Sequence, residues 1–304
     1  MKILITGVAG FIGSNVAKYF ILNGHNVFGI DDLSNGHTKN IPEDVEFIKG
    51  DLSNQDIKNK LPLKCDYILH LAGQSSGEIS FDNPIEDLNK NTVSTLNLIE
   101  YGIEKKVKKF LYASSMSVYG NVNDSPTFES ITAKPLSCYG IGKLASERYL
   151  EIFSKDLPFL NLRMFNVYGP GQDLNNMKQG MVSIFVSQAL KYNSIQVKGS
   201  LDRFRDFIFI DDVVKIWHDL TFNEECINLN INIGSGIRTS ISQLMQMIQE
   251  LKPEIKFYTK GITPGDQKGI FCSNNLLAKY YDISTMFSLK KGLKIFYQWA
   301  AREI

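Results

Sequence analysis

The chain has no strong excess of either charge: 33 lysines and arginines stand against 32 aspartates and glutamates, a formal net charge of +1. Nucleic-acid and membrane-surface partners usually demand a pronounced basic excess, so neither is expected, and a small-molecule partner is. Cysteine is scarce. Its four copies, Cys65, Cys138, Cys226 and Cys272, lack the paired spacing of a metal site, and no metal is expected. No apolar run is long enough to span a bilayer. The opening Met1-Lys2 and the apolar residues after it look like a signal peptide only superficially. Gly7 and Gly10 break the run and no cleavage-like site follows, so cytoplasmic residence is expected. Internal repeats, low-complexity tracts and linkers are absent too. The composition, 43% hydrophobic and 21% charged over 304 residues, can bury a large core and a second small lobe.

The most telling stretch is Lys2-Ile-Leu-Ile-Thr-Gly7-Val-Ala-Gly10-Phe-Ile-Gly13. Residues 3–5 supply a strand, 11–22 a helix and 27–30 a second strand, which Asp31 and Asp32 close. Glycine at these places lets the backbone turn tightly, lets a pyrophosphate approach the amides at the helix start, and lets helix and strand lie close. An acid at the end of the second strand can accept both hydroxyls of an adenosine ribose, whereas a 2′-phosphate would meet like charge. No arginine lies between Ile30 and Pro42, although His37 and Lys39 follow the acids. The site is expected to take a dinucleotide, NAD in preference to NADP.

Apolar runs at 45–48, 67–71, 110–113 and 159–162 alternate with stretches of helical length, the pattern of a parallel, doubly wound α/β sheet. Gly50-Asp51-Leu52 and His70-Leu71-Ala72-Gly73 follow the third and fourth strands, at the carboxyl edge where such sheets bind ligands. After Asn166 the pattern changes. A turn at Tyr168-Gly-Pro-Gly171 leads to a polar loop at 172–180 and a helix at 181–191. Short strands are expected at 195–197, 207–210, 229–233 and 256–258, with helices after Asp211, after Ser240 and at 289–300. The expected fold is therefore a Rossmann-like doubly wound parallel sheet with a smaller, interleaved C-terminal substrate lobe. Residues 1–165 would form the NAD-binding domain and 166–304 mainly the substrate lobe, with segments near 205–235 returning to the sheet.

Tyr139-Gly-Ile-Gly-Lys143 opens a helix running to about Ser154, and its i, i+4 spacing puts phenol and ammonium on one face. An unperturbed phenol ionises near pH ~10, so work as a general base near neutrality needs positive charge nearby. Lys143 and an oxidised nicotinamide could supply it. Ser114-Ser115-Met116-Ser117-Val118-Tyr119-Gly120 follows a strand to the same sheet edge, where a Ser115 hydroxyl can bridge substrate and phenol. Ser114 and Ser117 read as structural. Cys138 has no neighbouring histidine to activate it and reads as a packed thiol. His70, ending a buried strand, reads as a hydrogen-bonded core residue.

Taken together, these motifs resemble the extended short-chain dehydrogenase/reductases of the NAD-dependent nucleotide-sugar epimerase/dehydratase family, among them the UDP-glucose 4-epimerases. The resemblance covers nearly the whole length. It rests on the Gly7, Gly10, Gly13 turn, Asp31, 50–52, 71–73, Asn91 ahead of 95–98, 115–120, Tyr139 with Lys143, 163–169, and Arg205-Asp206-Phe207. It implies that Tyr139 is the catalytic base, that Lys143 holds the nicotinamide ribose and lowers the phenol's pKa, and that Ser115 orients the sugar hydroxyl. For the cofactor it implies the Gly7, Gly10, Phe11, Ile12, Gly13 turn, Asp31 with Asp32 at the ribose, Asp51 and Leu52 at the adenine, Leu71, Ala72 and Gly73 near the pyrophosphate, and Asn91. For a nucleotide-diphosphate sugar, UDP-linked foremost, it implies contacts from Asn166 and Arg205, the latter as a guanidinium fork. A salt bridge from Arg205 to Asp206 or Asp211 is the alternative.

Dehydratases of the family place an acid pair after the catalytic hydroxyl, where this chain has Met116 and Ser117, and decarboxylating relatives usually need a carboxylate in that stretch. The resemblance then implies 4-epimerisation through a transient 4-keto sugar. A nucleotide-sugar 4-dehydrogenase or 4-keto-sugar reductase would use the same Ser/Tyr/Lys site. A non-catalytic dinucleotide sensor would typically have lost Tyr139 and Lys143. Two departures stand out. Thr263 precedes Pro264-Gly265-Asp266 where an arginine is common, so one phosphate contact is either missing or supplied by Lys178 or Lys198, and Gly142 stands where serine is frequent. Helices at 92–101 and 144–153 carry more apolar surface than one sheet face needs, and the resemblance implies a homodimer through them.

Overall fold

In a computed structural model, which describes residues 1–178, 180–261 and 268–304, the chain opens with strand β1 (Lys2–Thr6), helix α1 (Phe11–Leu22) and strand β2 (Asn26–Asp31). It continues through β3 (Glu46–Lys49), β4 (Tyr67–His70), the short helices α2 (Ile79–Asp82) and α3 (Pro84–Leu88), and a π turn over Asn89–Val93. Then come α4 (Ser94–Glu104), β5 (Lys109–Ser115), α5 (Cys138–Ile152) and β6 (Phe159–Met164). Beyond lie β7 (Asn166–Tyr168), α6 (Met181–Tyr192), β8 (Ser194–Val197), β9 (Phe204–Arg205), β10 (Phe207–Phe209) and α7 (Ile210–Phe222). The chain closes with β11 (Leu229–Ile233), β12 (Thr239–Ser240), α8 (Ile241–Leu251), β13 (Lys256–Thr259) and α9 (Leu289–Glu303).

Seven strands form one parallel sheet in the order β11-β6-β5-β4-β1-β2-β3. This is the doubly wound α/β architecture. From β1 the chain winds outward through β2 and β3, then crosses back to β4, so the crevice beyond the ends of β1 and β4 is the switch point. Central strands β4 and β5 are buried at every position, as a sheet covered on both faces requires. Their residues alternate between two cores. Phe110 and Tyr112 meet Leu98, Ile99 and Tyr101 of α4, while Leu111 and Ala113 belong to the larger core that holds Phe20 and Trp217.

One expectation changes. Residues 207–210 do not rejoin the main sheet: β11 occupies the edge beside β6, and β10 pairs with β7 beyond the bend at Phe165, whose amide donates to Ile233 O at 3.0 Å. On helix α4, Leu98, Ile99 and Tyr101 point into the core, while Val93 just before it and Leu96 stay partly exposed. The exposed apolar side chains sit on α5 (Ile141, Tyr149, Ile152) and on α2 and α3 (Phe81, Ile85, Leu88).

Helix α5 carries the catalytic candidates and is fixed at two places. Ser137 caps its start by accepting from Gly140 N at 3.1 Å. Further along, fully buried Glu147 accepts from Arg163 of β6 through Nε (2.9 Å) and Nη2 (2.7 Å), and from Ser114 Oγ of β5 at 2.5 Å. Arg163 also donates to Tyr119 Oη (3.0 Å) and Glu129 O (3.1 Å). A paired charge removed from water is tolerated only while its partner remains. Glu147→Leu should therefore lower unfolding stability by about 3–5 kcal/mol, read as a fall in the urea midpoint, and a loss under about 1 kcal/mol would contradict this account of the pair.

Candidate active site

At the switch point a hydrogen-bond chain joins β1 to β4. Thr6 Oγ1 accepts from Leu71 N (3.1 Å) and Ala72 N (2.9 Å), so its own hydrogen goes to His70 Nδ1 at 2.7 Å. His70 Nε2 then carries the proton and donates to Thr95 Oγ1 at 3.1 Å, and Thr95 donates to Asn91 O at 2.7 Å. Burial holds His70 neutral, well below the usual imidazole range. This is the core role expected of it.

The glycine turn sits on this joint. Gly7 has φ +69°, and a Cβ there would lie 2.8 Å from Ala72 N. At Gly13 a Cβ would lie 2.0 Å from Gly7 O, so these two glycines serve the protein's own close approach. Gly10 is different: a Cβ there would meet only Gly7 O, at 3.2 Å. Helix α1 starts at Phe11 with no side-chain cap and no acid in its first turn, leaving its first amides, including those of Ile12 and Gly13, to an outside anion. The open side of Gly10, these amides and the buried, unpartnered Asn91 Oδ1 fit a dinucleotide whose pyrophosphate lies at the helix start.

Asp31 would hold the adenosine ribose. Its carboxylate is fixed by Ala9 N (3.0 Å) and Leu33 N (2.8 Å), and burial pushes its pKa up. Asp32 faces elsewhere, accepting from Ser34 N at 2.8 Å and from Lys90 Nζ at 2.5 Å. The same ammonium reaches Asp51 Oδ2 at 2.8 Å, beside buried Leu52. Despite the cost of burial, Lys90 holds both carboxylates below the usual range. Lys90 thus ties the ends of β2 and β3 to the π turn.

At the other end, Ser115, Tyr139 and Lys143 converge. All three are at least nine-tenths buried. Ser115 Oγ accepts from Ser117 N at 3.1 Å and lies 3.2 Å from Ser117 Oγ. Lys143 Nζ sits 4.9 Å from the Tyr112 ring centre and 5.7 Å from that of Tyr139. Burial pushes the Tyr139 phenol up to about 12, and the Ser115 hydroxyl only partly opposes it. The same burial pulls Lys143 down to about 8, so further positive charge has to arrive with the cofactor.

On the substrate side, Asn166 Nδ2 donates to Asp206 O (2.9 Å) and lies 3.6 Å from Met116 Sδ. Arg205 is 5% exposed and donates through Nη1 to Phe204 O at 2.7 Å. Burial and then the charge of Arg203 pull its pKa down to about 10. The Asp206 carboxylate accepts from Ser235 N (2.7 Å) and Gly236 N (2.9 Å), and Cys272 adds its amide and thiol. Thr263-Pro264-Gly265-Asp266 lie outside the described residues. Lys178 and Lys198 are engaged there through their backbone, with Asn176 and Arg203 respectively. No helix among the described residues is long and apolar enough to cross a membrane.

Residues 3–234 match the family model described as the NAD dependent epimerase/dehydratase family. The chain belongs to that family, and NAD is its cofactor. A protein of Methanocaldococcus jannaschii named putative UDP-glucose 4-epimerase is 32% identical over 98% of this chain and 97% of its own. The crystal structure of a Thermotoga maritima UDP-glucose 4-epimerase with UDP-glucose superposes with TM-score 0.93 at 32% identity, covering 100% of this chain and 99% of that one. A Thermus thermophilus UDP-glucose 4-epimerase in complex with NAD gives 0.88 at 27% identity, over 98% of each. A Xenopus tropicalis protein named UDP-glucuronic acid decarboxylase 1 is 31% identical over 82% of this chain and 60% of its own.

Sequence reasoning placed Thr6 and Thr95 in motifs without giving them a role, and passed over Lys90, Gln74 and Asp87. A signal existed: Asp87, Asn91 and Thr95 recur every four residues, marking a polar helical face turned inward. For the cofactor site, Gly10→Ala should keep the fold, because the methyl meets only its own turn, while weakening NAD by at least about tenfold, ~1.4 kcal/mol. Calorimetric titration with NAD checks this, and unchanged affinity would move the pyrophosphate away from α1.

Proposed function

We propose that this protein is an NAD-dependent nucleotide-sugar 4-epimerase acting on a sugar carried by a nucleoside diphosphate, UDP foremost. The observation that carries this reading is the Ser115, Tyr139, Lys143 cluster followed by Met116 and Ser117. A phenol and a hydroxyl can remove and return a proton at one carbinol. Elimination or decarboxylation would call for a carboxylate in that stretch, whereas Met116 turns a thioether towards Asn166.

In this reading Ser115 holds the C4 hydroxyl of the sugar and Tyr139 takes its proton. Bound NAD would supply a reversible hydride acceptor for C4, which is what inversion of that carbon needs. Lys143 holds the nicotinamide ribose and keeps positive charge beside the phenol, which burial alone would leave protonated. Arg205 and Asn166 hold the diphosphate, in a lobe formed mainly by residues after 165.

Cofactor accounting tests the reading. Purified protein carrying NAD should interconvert the C4 epimers of a UDP-hexose with no net change in nicotinamide absorbance. Stoichiometric consumption of NADH or NADPH would instead establish the dehydrogenase or reductase alternative. Tyr139→Phe should cut turnover by at least about a hundredfold while NAD binding persists. Retained turnover would remove Tyr139 as the base.

The reading includes a homodimer. Ile141 and Ile152 of α5 are 57% and 72% exposed, on the helix that adjoins α3 with its exposed Ile85. A solvent-facing apolar set of this kind favours association. Ile141→Glu with Ile152→Glu should halve the mass seen by light scattering, and an unchanged mass would place any interface elsewhere.

A further inference from the structure

Asp87 is a buried acid that the proposed reaction leaves idle. It lies in α3, is 1% exposed, and its Oδ1 accepts from Gln74 Nε2 (2.9 Å) and Asn91 Nδ2 (3.1 Å). The same Asn91 nitrogen also donates to Gln74 O at 3.0 Å. With both its hydrogens engaged, the Asn91 amide cannot turn over. Its Oδ1 is therefore aimed at Gly73, 2.5 Å from where a Cβ would stand, and Lys143 Nζ lies 3.4 Å from the same point. That oxygen is fully buried and has no hydrogen-bond partner among the described residues. An acceptor beside an ammonium suits a ribose diol, one hydroxyl donating to Oδ1 and the other accepting from Nζ. On its second side, Asp87 meets α5. A Cβ on Gly142, the residue before Lys143, would lie 3.5 Å from Asp87 Oδ2 and 3.3 Å from Asn91 Cβ.

We propose that Asp87 is a positioning residue with two separable jobs: it aims the Asn91 carbonyl at the nicotinamide ribose, and it supplies the buried negative charge that keeps Lys143 an ammonium. Five groups face Lys143. Tyr139 and Glu147 come from α5, Tyr112 from β5, His70 from β4 and Asp87 from α3. The tyrosines and the neutral histidine bring no negative charge. Glu147 is committed to Arg163. Burial pulls Lys143 down to about 8, with Asp87 ahead of Glu147 in opposing it, and Asp87 also adds to the rise at Tyr139. Removing the Asp87 charge lowers the pKa of both groups, so the phenolate forms and the ammonium is lost at lower pH.

The turnover arm of the test rests on the epimerase reading, while the binding arm needs only that NAD is the cofactor. Asp87→Asn keeps an acceptor and deletes the charge; Asp87→Leu deletes both. Titrated with NAD at pH 7, Asp87→Asn should bind within about threefold of the unsubstituted protein, and Asp87→Leu at least about tenfold more weakly. The alkaline loss of NAD affinity, which follows the Lys143 ammonium, should come on the order of one pH unit earlier in Asp87→Asn. Both limbs of its turnover profile should move to lower pH with it. Superimposable pH profiles of binding would overturn the electrostatic job, and unchanged affinity in Asp87→Leu the aiming job. Should Asp87→Leu fail to fold, Gln74→Leu, which removes one of the two donors holding the carboxylate, replaces it with the same expected direction. If the unsubstituted protein turns over no nucleotide sugar, the epimerase reading falls and the NAD titrations still decide the role of Asp87.

Discussion

Everything at the cofactor edge hangs on the closeness of β1 and β4 where the sheet changes direction. Thr6 has one hydrogen to give and two amides to receive, which fixes the His70 tautomer and, through Thr95, reaches the backbone of Asn91. Three segments distant in sequence are thereby held to one hydrogen-bond pattern. Gly7 sits directly against Ala72 because nothing larger would allow the two loops to meet. A cleft assembled this way is rigid before any ligand arrives, which is what transition-state electrostatics require of a site.

Burial, the same force that builds the core, also sets the chemical character of the cleft. It makes the Tyr139 phenol harder to ionise and the Lys143 ammonium easier to lose. Both shifts oppose the chemistry when each residue is considered alone. Under the proposed reaction they become useful only when positive charge enters with the nicotinamide. Glu147 shows the opposite arrangement. There a carboxylate, a guanidinium and a serine satisfy one another, and α5 is anchored to β5 and β6 with no catalytic use made of the charge.

The first strand, the glycine turn, helix α1 and Tyr139 with Lys143 were legible because each rests on local chemistry: alternation, a positive φ, helical spacing. Ser115 was legible from its place at a strand end. Partners set by tertiary geometry were not. The destination of 207–210 depended on which strand took the edge beside β6, and local pattern carries no such information. Lys90 and Asp87 carry no local signal of their own; Lys90 meets Asp51, and Asp87 meets Asn91, only through the π turn. The helix at 92–101 reads as having apolar residues to spare, and only the position of the sheet decides that Leu98, Ile99 and Tyr101 go inward while Leu96 stays partly exposed.

That π turn has a consequence for the chain's tolerance of length change. Consecutive residues within it point to opposite ends of the cleft, Lys90 to the carboxylates beyond β2 and β3, Asn91 to the loop after β4. Deleting a single residue there would rotate all of α4 by about 100°, swinging Leu98 and Tyr101 out of their seats and dropping the bond from the Tyr101 phenol to Pro62 O. Insertions and deletions in this lineage should accordingly collect in the loops on either side, such as that before Pro84, while the register from Asn89 onward stays unbroken like the teeth of a meshed gear.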